Sequence, residues 1–319
     1  MNDVIVVSSA NIRKDLRRYL TEKYTELDFR FHTLMEEAKE DLTKSDILIT
    51  YGEDLDDTLI NNATNLKWIM VISAGLDKMP FAAIERQGII VTNARGIHAI
   101  PMAEYTLSMM LQTARQTKTL IENEQQKEWD RSPVMTELHG KTIGILGAGA
   151  IGKEVARLAK AFNMTVIGLN RSGNSVENVD HVVTTERLDT LLEVADFVVS
   201  VLPNLPETDN ILSVSQFKVM KETAILINIG RGNVINEDAL LTALNEGELR
   251  HAVLDVFKEE PLPVNHPFWS HPNVTITPHM SGISPQYQPR SLEIFEHNLH
   301  VFLTSKGDYL NRIDLAKGY

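Results

Sequence analysis

Lys141-Thr142-Ile143-Gly144-Ile145-Leu146-Gly147-Ala148-Gly149-Ala150-Ile151-Gly152 joins an apolar run of strand length to three glycines in the order G-x-G-x-x-G. Beyond the glycines, Ile151, Val155, Leu158, Ala159 and Phe162 recur at helical spacing. The pattern predicts a strand, a tight turn and a helix with one buried face. In that context the glycines acquire meaning. Gly147 permits the turn, Gly149 lets the backbone approach a pyrophosphate, and Gly152 lets helix and strand pack closely. The helix start, at Ala150 and Ile151, offers unpaired N–H groups and a partial positive charge to phosphates. A dinucleotide site is the expectation.

The rest of the composition narrows the class. A chain of 319 residues with 43% hydrophobic content is long enough for two domains with real cores. With no cysteine, disulfides, thiolate metal sites and a Cys nucleophile are excluded, and no metal site is expected. The formal net charge of −12 argues against a nucleic-acid partner. The first apolar run, Val4 to Val7, is too short for a secretion signal, and no later run reaches membrane-spanning length. A cytoplasmic protein without a membrane partner is expected.

Outward from the glycine turn, strands and helices alternate, which predicts mostly parallel sheets flanked by helices. Before it, strand-like runs lie at Val4–Val7, Phe29–Phe31, Ile47–Ile49, Trp68–Ile72 and Ile89–Val91, with helical segments such as Ile12–Tyr24 and Asp54–Asn62 between them. After it come Thr165–Leu169, Phe197–Leu202, Ala224–Ile229, Val253–Val256 and Val274–Thr277, making six strands with the first. Because a dinucleotide motif usually sits on a domain's first strand, a second domain should begin near residue 100. A helix from about Pro101 to Thr117 is apolar nearly all round, as expected of one buried between domains or at a subunit interface. A homodimer follows as an expectation. Leu292, Phe295, Leu299, Phe302 and Leu303 mark a C-terminal helix.

The strand after the glycine turn ends Asn170-Arg171-Ser172, where an acidic residue would bind the ribose 2′-hydroxyl of NAD. The acid is missing. Arg171 can pair with a 2′-phosphate and Ser172 can donate to it, so NADP(H) is the expected cofactor, with NAD possible.

Three more stretches end strands on the same side of the sheet: Asn228-Ile229-Gly230-Arg231-Gly232, Asp255-Val256-Phe257-Lys258-Glu259-Glu260-Pro261 and Thr277-Pro278-His279-Met280-Ser281-Gly282. Each alone is ordinary. Together they place a guanidinium, a carboxylate and an imidazole near the expected nicotinamide.

These stretches, behind the glycine turn, resemble the D-isomer-specific 2-hydroxyacid dehydrogenase family. Ser73-Ala74-Gly75-Leu76-Asp77, Ala103-Glu104, Leu202-Pro203 to Glu207-Thr208 and Gly318-Tyr319 extend the likeness. The resemblance implies two doubly wound parallel-sheet α/β domains with an interdomain cleft. A flavodoxin-like substrate domain, 1–99 plus 290–319, would surround a Rossmann coenzyme domain, 100–289. It also implies a dimer that interconverts 2-oxo acids and D-2-hydroxy acids.

By position, the resemblance implies that Arg231 holds the substrate's carboxylate and carbonyl oxygen, that His279 exchanges the proton, and that Glu260 orients His279. Glu260 is preferred to Glu259 because it precedes Pro261. Backbone N–H groups of Ala74 and Gly75 would complete a carboxylate cradle. Asp255 would meet the nicotinamide, and Leu202, Pro203, Thr208, Ile229, Gly230 and Gly282 would line the cofactor. His98 and Arg95 depart from residues common in relatives and are expected to bias substrate choice, and Trp129 and Trp269 are candidates for the substrate side. With Asn170-Arg171-Ser172 and Trp269, the nearest subgroup is the glyoxylate/hydroxypyruvate reductases. The competing readings are a dinucleotide-sensing binding protein on the same fold, or an NAD-dependent relative with another substrate.

Overall fold

The computed structural model describes residues 4–73, 75, 76 and 78–315. The chain divides into two compact units: residues up to Ile97 together with those from Ser284 onward, and His98–Ile283.

In the first unit the elements follow as β1 (Val4–Ser8), α1 (Lys14–Lys23), β2 (Leu27–Phe31), α2 (Met35–Leu42), β3 (Ile47–Thr50), α3 (Asp57–Asn62), β4 (Trp68–Val71), α4 (Phe81–Gln87) and β5 (Ile90–Asn93). Among the described residues the strands form one parallel sheet in the order β2-β1-β3-β4-β5. Every residue of β3 and β4 is buried, as a sheet with both faces covered requires. The C-terminal helix, Tyr287–Thr304, packs on one face through Leu292, Phe295 and Leu299, its apolar period in the sequence. Phe295 stacks on Trp68 with ring centroids 5.3 Å apart, and the Trp68 indole donates to Thr92 Oγ1 at 2.9 Å. Buried Asn298 then pins the following segment: its amide donates to the Leu310 carbonyl and its oxygen accepts the Leu310 N–H.

The second unit opens with α5 (Ala99–Ala114) and α6 (Thr117–Gln126), followed by β6 (Thr142–Leu146), α7 (Ala150–Ala161), β7 (Thr165–Leu169), β8 (His181–Val183) and α8 (Leu188–Val194). It continues through β9 (Phe197–Ser200), α9 (Val214–Val219), β10 (Ile225–Asn228), α10 (Glu237–Glu246), β11 (His251–Leu254) and β12 (Val274–Ile276). Among the described residues its parallel sheet runs β12-β11-β10-β9-β6-β7-β8. Strand order reverses at β6, between β9 and β7, the switch point where ligands of open α/β sheets bind. The sequence pattern anticipates six of these strands. It misses β8, three residues long with only Val183 buried, too short for a period to register. Ala103, Met110 and Ala114 of α5 pack into one core with Val155, Ala156 and Ala159 of α7. Leu111 of α5, a helix the sequence pattern reads as apolar nearly all round, is exposed.

Candidate active site

The glycine turn has the form its spacing predicts. Gly147 adopts φ +102°, which L side chains avoid, and its N–H and that of Ala148 donate to the Leu169 carbonyl. A Cβ on Gly152 would lie 2.3 Å from the Gly147 carbonyl oxygen, so the helix can approach the turn only with glycine there. A Cβ on Gly149, by contrast, would meet nothing within 4 Å. The open space above Gly149 and the exposed start of α7 at Gly149 and Ala150 are what a pyrophosphate requires, with Ile151 half-buried behind them. A dinucleotide fits this turn.

At the end of β7, Asn170 builds its own loop. Its side-chain oxygen accepts the Gly173 N–H at 2.7 Å and its amide donates to the Asn174 carbonyl at 2.9 Å. Ser172 Oγ lies 3.4 Å from the same oxygen. Arg171 points outward and pairs with Glu207 at 2.9 Å, the two side chains 73% and 58% exposed. Such an exposed pair is worth at most about 1 kcal/mol and opens readily. Glu207 belongs to the loop after β9. Thr208 shapes that loop from inside: buried, it donates to the Pro203 carbonyl at 2.6 Å and accepts the Leu205 N–H at 3.0 Å. Leu202 is buried and Pro203 exposed, so the wall of this loop facing outward is backbone and proline.

Strands β10, β11 and β12 lie side by side, with Asn228 level with Leu254 and Leu254 level with Ile276. The three loops that follow therefore leave the sheet at one height. Buried Asn228 shapes the first: its oxygen accepts the Gly230 N–H and its amide donates to the Arg231 carbonyl. Ile229 is buried and its N–H donates to the Ser200 carbonyl. Gly230 lies against the Leu202 backbone. This leaves Arg231 exposed, with Nη1 donating to the Gly230 carbonyl at 2.9 Å. A Cβ on Gly232 would fall 1.9 Å from the Phe257 carbonyl carbon. The Arg231 turn is thus pressed directly on the loop that carries Glu260.

Glu260 uses both carboxylate oxygens. Oε1 accepts the Phe257 N–H at 2.9 Å, and Oε2 lies 2.8 Å from His279 Nδ1. A carboxylate only accepts, so Nδ1 carries the hydrogen and Nε2 is left to face outward. Glu259 is exposed. His279 is 52% exposed and has φ +50°, a strained backbone held by its N–H donating to the Asp255 carbonyl at 2.8 Å. Asp255 itself is 0% exposed. Its carboxylate accepts from Thr277 Oγ1 at 2.5 Å and from the Met280 and Ser281 N–H groups, each at 2.9 Å. The expected contact of Asp255 with a nicotinamide therefore competes with three hydrogen bonds already made inside the fold. A guanidinium, an imidazole with an oriented proton and a carboxylate behind it can polarise a carbonyl, exchange a proton with its oxygen and stabilise the resulting charge.

In the first unit, the turn after β4 places the Ser73 hydroxyl within hydrogen-bond distance of the Tyr51 and Gly75 carbonyls and leaves Gly75 exposed. Ala74 and Asp77 lie outside the described residues, as do Gly318 and Tyr319. Trp129 is 94% exposed, while Trp269 donates to the Pro263 carbonyl at 2.9 Å. No sequence signal marked Asn228 or Thr277 beyond their place beside the motif residues, because their roles depend on backbone groups brought close by the turn.

Residues 107–281 match the model of the D-isomer specific 2-hydroxyacid dehydrogenase NAD-binding domain. A glyoxylate reductase of Aeropyrum pernix is 35% identical over 86% of this chain and 84% of its own. The chain belongs to the D-isomer specific 2-hydroxyacid dehydrogenase family. A solved family member from Aeromonas salmonicida superposes with TM-score 0.87 at 34% identity, covering 98% of this chain and all of that one. An NADPH-dependent glyoxylate/hydroxypyruvate reductase from Sinorhizobium meliloti, solved with NADP and sulfate, superposes with TM-score 0.80 at 25% identity, covering 99% and 100%. As a 2-hydroxyacid dehydrogenase, the protein is an NAD(P)-dependent oxidoreductase with the family's two parallel-sheet domains, and no helix among the described residues is long and apolar enough to cross a membrane.

Proposed function

We propose that this dehydrogenase reduces a small 2-oxo acid, glyoxylate or hydroxypyruvate, to the corresponding 2-hydroxy acid (D where C2 becomes chiral), with NADPH preferred. The observation that carries the chemistry is the Glu260–His279 contact, which leaves Nε2 as the proton donor beside the Arg231 loop. Bound NADPH supplies the hydride to C2 of the acid. Arg231 grips the carboxylate and the carbonyl oxygen with its planar fork and stabilises the alkoxide as it forms. His279 Nε2 passes its proton to that oxygen, and Glu260 stabilises the imidazolium from which the proton leaves. In the reverse direction His279 takes the proton back.

Small acids are favoured because several of the relatives named for an activity are glyoxylate or glyoxylate/hydroxypyruvate reductases, beside a D-3-phosphoglycerate dehydrogenase. NADPH is favoured by the missing acid at Asn170 and by Arg171, whose partner Glu207 is exposed and readily exchanged. The substrate half is assigned to 1–99 plus 290–319, with Gly75 in the carboxylate cradle, and the coenzyme half to 100–289. A homodimer is supported by α6, none of whose described residues is buried, and by Trp129 and Val134, 94% and 73% exposed in the isolated chain. Initial rates test the function. NADPH and NADH are crossed with glyoxylate, hydroxypyruvate, pyruvate and a branched 2-oxo acid. NADPH-dependent turnover of a small acid is expected; cofactor binding without turnover of any acid overturns the proposal.

A further inference from the structure

The segment Thr277–Gly282 carries His279, and α5 holds it at both ends. Tyr105, on α5, places its hydroxyl 2.6 Å from Thr277 Oγ1, which lies 2.5 Å from Asp255 Oδ1. The direction of this chain is determined by chemistry. The Thr277 hydroxyl has one proton and gives it to the carboxylate, so the Tyr105 hydroxyl donates to Thr277. Burial pushes the Tyr105 hydroxyl up to about 12, which keeps it a donor across the working range. Seven residues earlier, at the start of the same helix, His98 lies against Gly282, where a Cβ would come within 3.0 Å of His98 Nδ1. The Gly282 backbone hydrogen-bonds the His98 ring. Burial lowers the proton affinity of that imidazole, and the charge of Arg231 lowers it further.

We infer that α5 is a clamp for the proton-transfer segment, and that Tyr105 is a positioning residue acting on His279 through Thr277 and Asp255. The inference rests on the proposed role of His279. The physical path is short. The Asp255 carboxylate collects Thr277 and the N–H groups of Met280 and Ser281, while its carbonyl takes the N–H of His279. His279 needs that grip because its backbone is in the left-handed region. Removing the Tyr105 hydroxyl leaves Thr277 free to turn away from Asp255. The segment then relaxes, and His279 loses its set distance to Glu260.

The test is the tautomer of His279, read from 15N shifts of histidine-labelled protein and assigned by difference against His279→Asn. In the wild type the neutral ring carries its proton on Nδ1. In Tyr105→Phe, and independently in Thr277→Val, a mixture with the Nε2–H form is expected. With it, kcat should fall about fivefold to tenfold, the worth of one hydrogen bond, at unchanged KM for the acid and unchanged NADPH affinity. Wild-type tautomer and wild-type kcat in both variants, whatever happens to the melting temperature, would overturn the clamp. The spectroscopic readout needs no substrate, so a wild type that turns over no 2-oxo acid would sink the proposed function while leaving the clamp to be decided by the spectra.

Discussion

His279 Nδ1 stands 2.8 Å from Glu260 Oε2 while the other oxygen of the same carboxylate is held by the Phe257 N–H. Glu260 is thus anchored before it touches the imidazole, and the tautomer of His279 is set by a group that cannot itself rotate away. Glu260→Gln keeps the shape but can offer an amide N–H to Nδ1, which favours the opposite tautomer, and it removes the negative charge that stabilises the imidazolium. A kcat loss of about 10²-fold to 10⁴-fold is expected, with NADPH affinity by fluorescence titration unchanged. His279→Ala should fall in the same range. If either variant instead lost NADPH affinity and kept its rate, the assignment of the proton to His279 would be wrong.

Arg231 sits on a turn that has no slack. The Asn228 side chain brackets it, and Gly232 is in contact with the Phe257 backbone. Arg231→Lys keeps the charge but gives up the fork, so kcat/KM for the 2-oxo acid should drop by about 10²-fold or more while cofactor binding persists. Gly232→Ala, which changes no chemical group, should be comparably damaging because the Arg231 and Glu260 loops must separate to admit a methyl. Circular dichroism separates the two cases: the Lys variant should melt as the wild type does, and the Ala variant earlier. Unchanged kinetics in Arg231→Lys would exclude Arg231 from substrate contact.

Much of this was legible in the chain. The glycine turn, the apolar strand runs and the motif order are local features, and Leu292, Phe295 and Leu299 announce the C-terminal helix by period alone. What the sequence concealed is of two kinds. Elements with little buried surface leave no period: β8 is three residues long, and α6 buries no described side chain. Polar contacts across great sequence distance leave no signal at all. Tyr105 and Thr277 are 172 residues apart, and in a helix judged by its apolar face a tyrosine counts as packing. Asp255, placed by resemblance at the nicotinamide, also accepts three hydrogen bonds from Thr277, Met280 and Ser281 within the fold, which no local pattern announces.

The proposed cofactor preference rests on three side chains, Asn170, Arg171 and Glu207. In the structure Arg171 is engaged by Glu207, so a 2′-phosphate must displace a carboxylate to reach it. Glu207→Gln removes both the competitor and a negative charge near the site. The NADPH-to-NADH ratio of kcat/KM should rise by about fivefold, the upper worth of an exposed pair. Asn170→Asp should move the ratio the other way by about tenfold, since a carboxylate there accepts from the ribose hydroxyls and repels the phosphate. Steady-state kinetics with both cofactors decide it, and a ratio unmoved by either change would place the 2′ group elsewhere.

His251 supplies a pH prediction away from the chemistry. It opens β11 and hydrogen-bonds Thr275 Oγ1 at 2.9 Å. Burial, reinforced by the nearby charges of Lys118, Arg250 and His271, lowers its proton affinity to about 4 from the ordinary 6.5. The folded protein therefore keeps this ring neutral where the unfolded chain takes up a proton. Stability from this group is complete above about pH 6.5 and drains away as the pH falls towards 4. By pH 5 the loss should reach about 2 kcal/mol, since each unit of separation is worth about 1.4 kcal/mol. His251→Gln, which can still bond Thr275 but cannot be protonated, should lose correspondingly less between pH 7.5 and pH 5 in urea denaturation. If both proteins show the same acid-side fall, His251 is not its source, and the carboxylates of the two units would have to carry it.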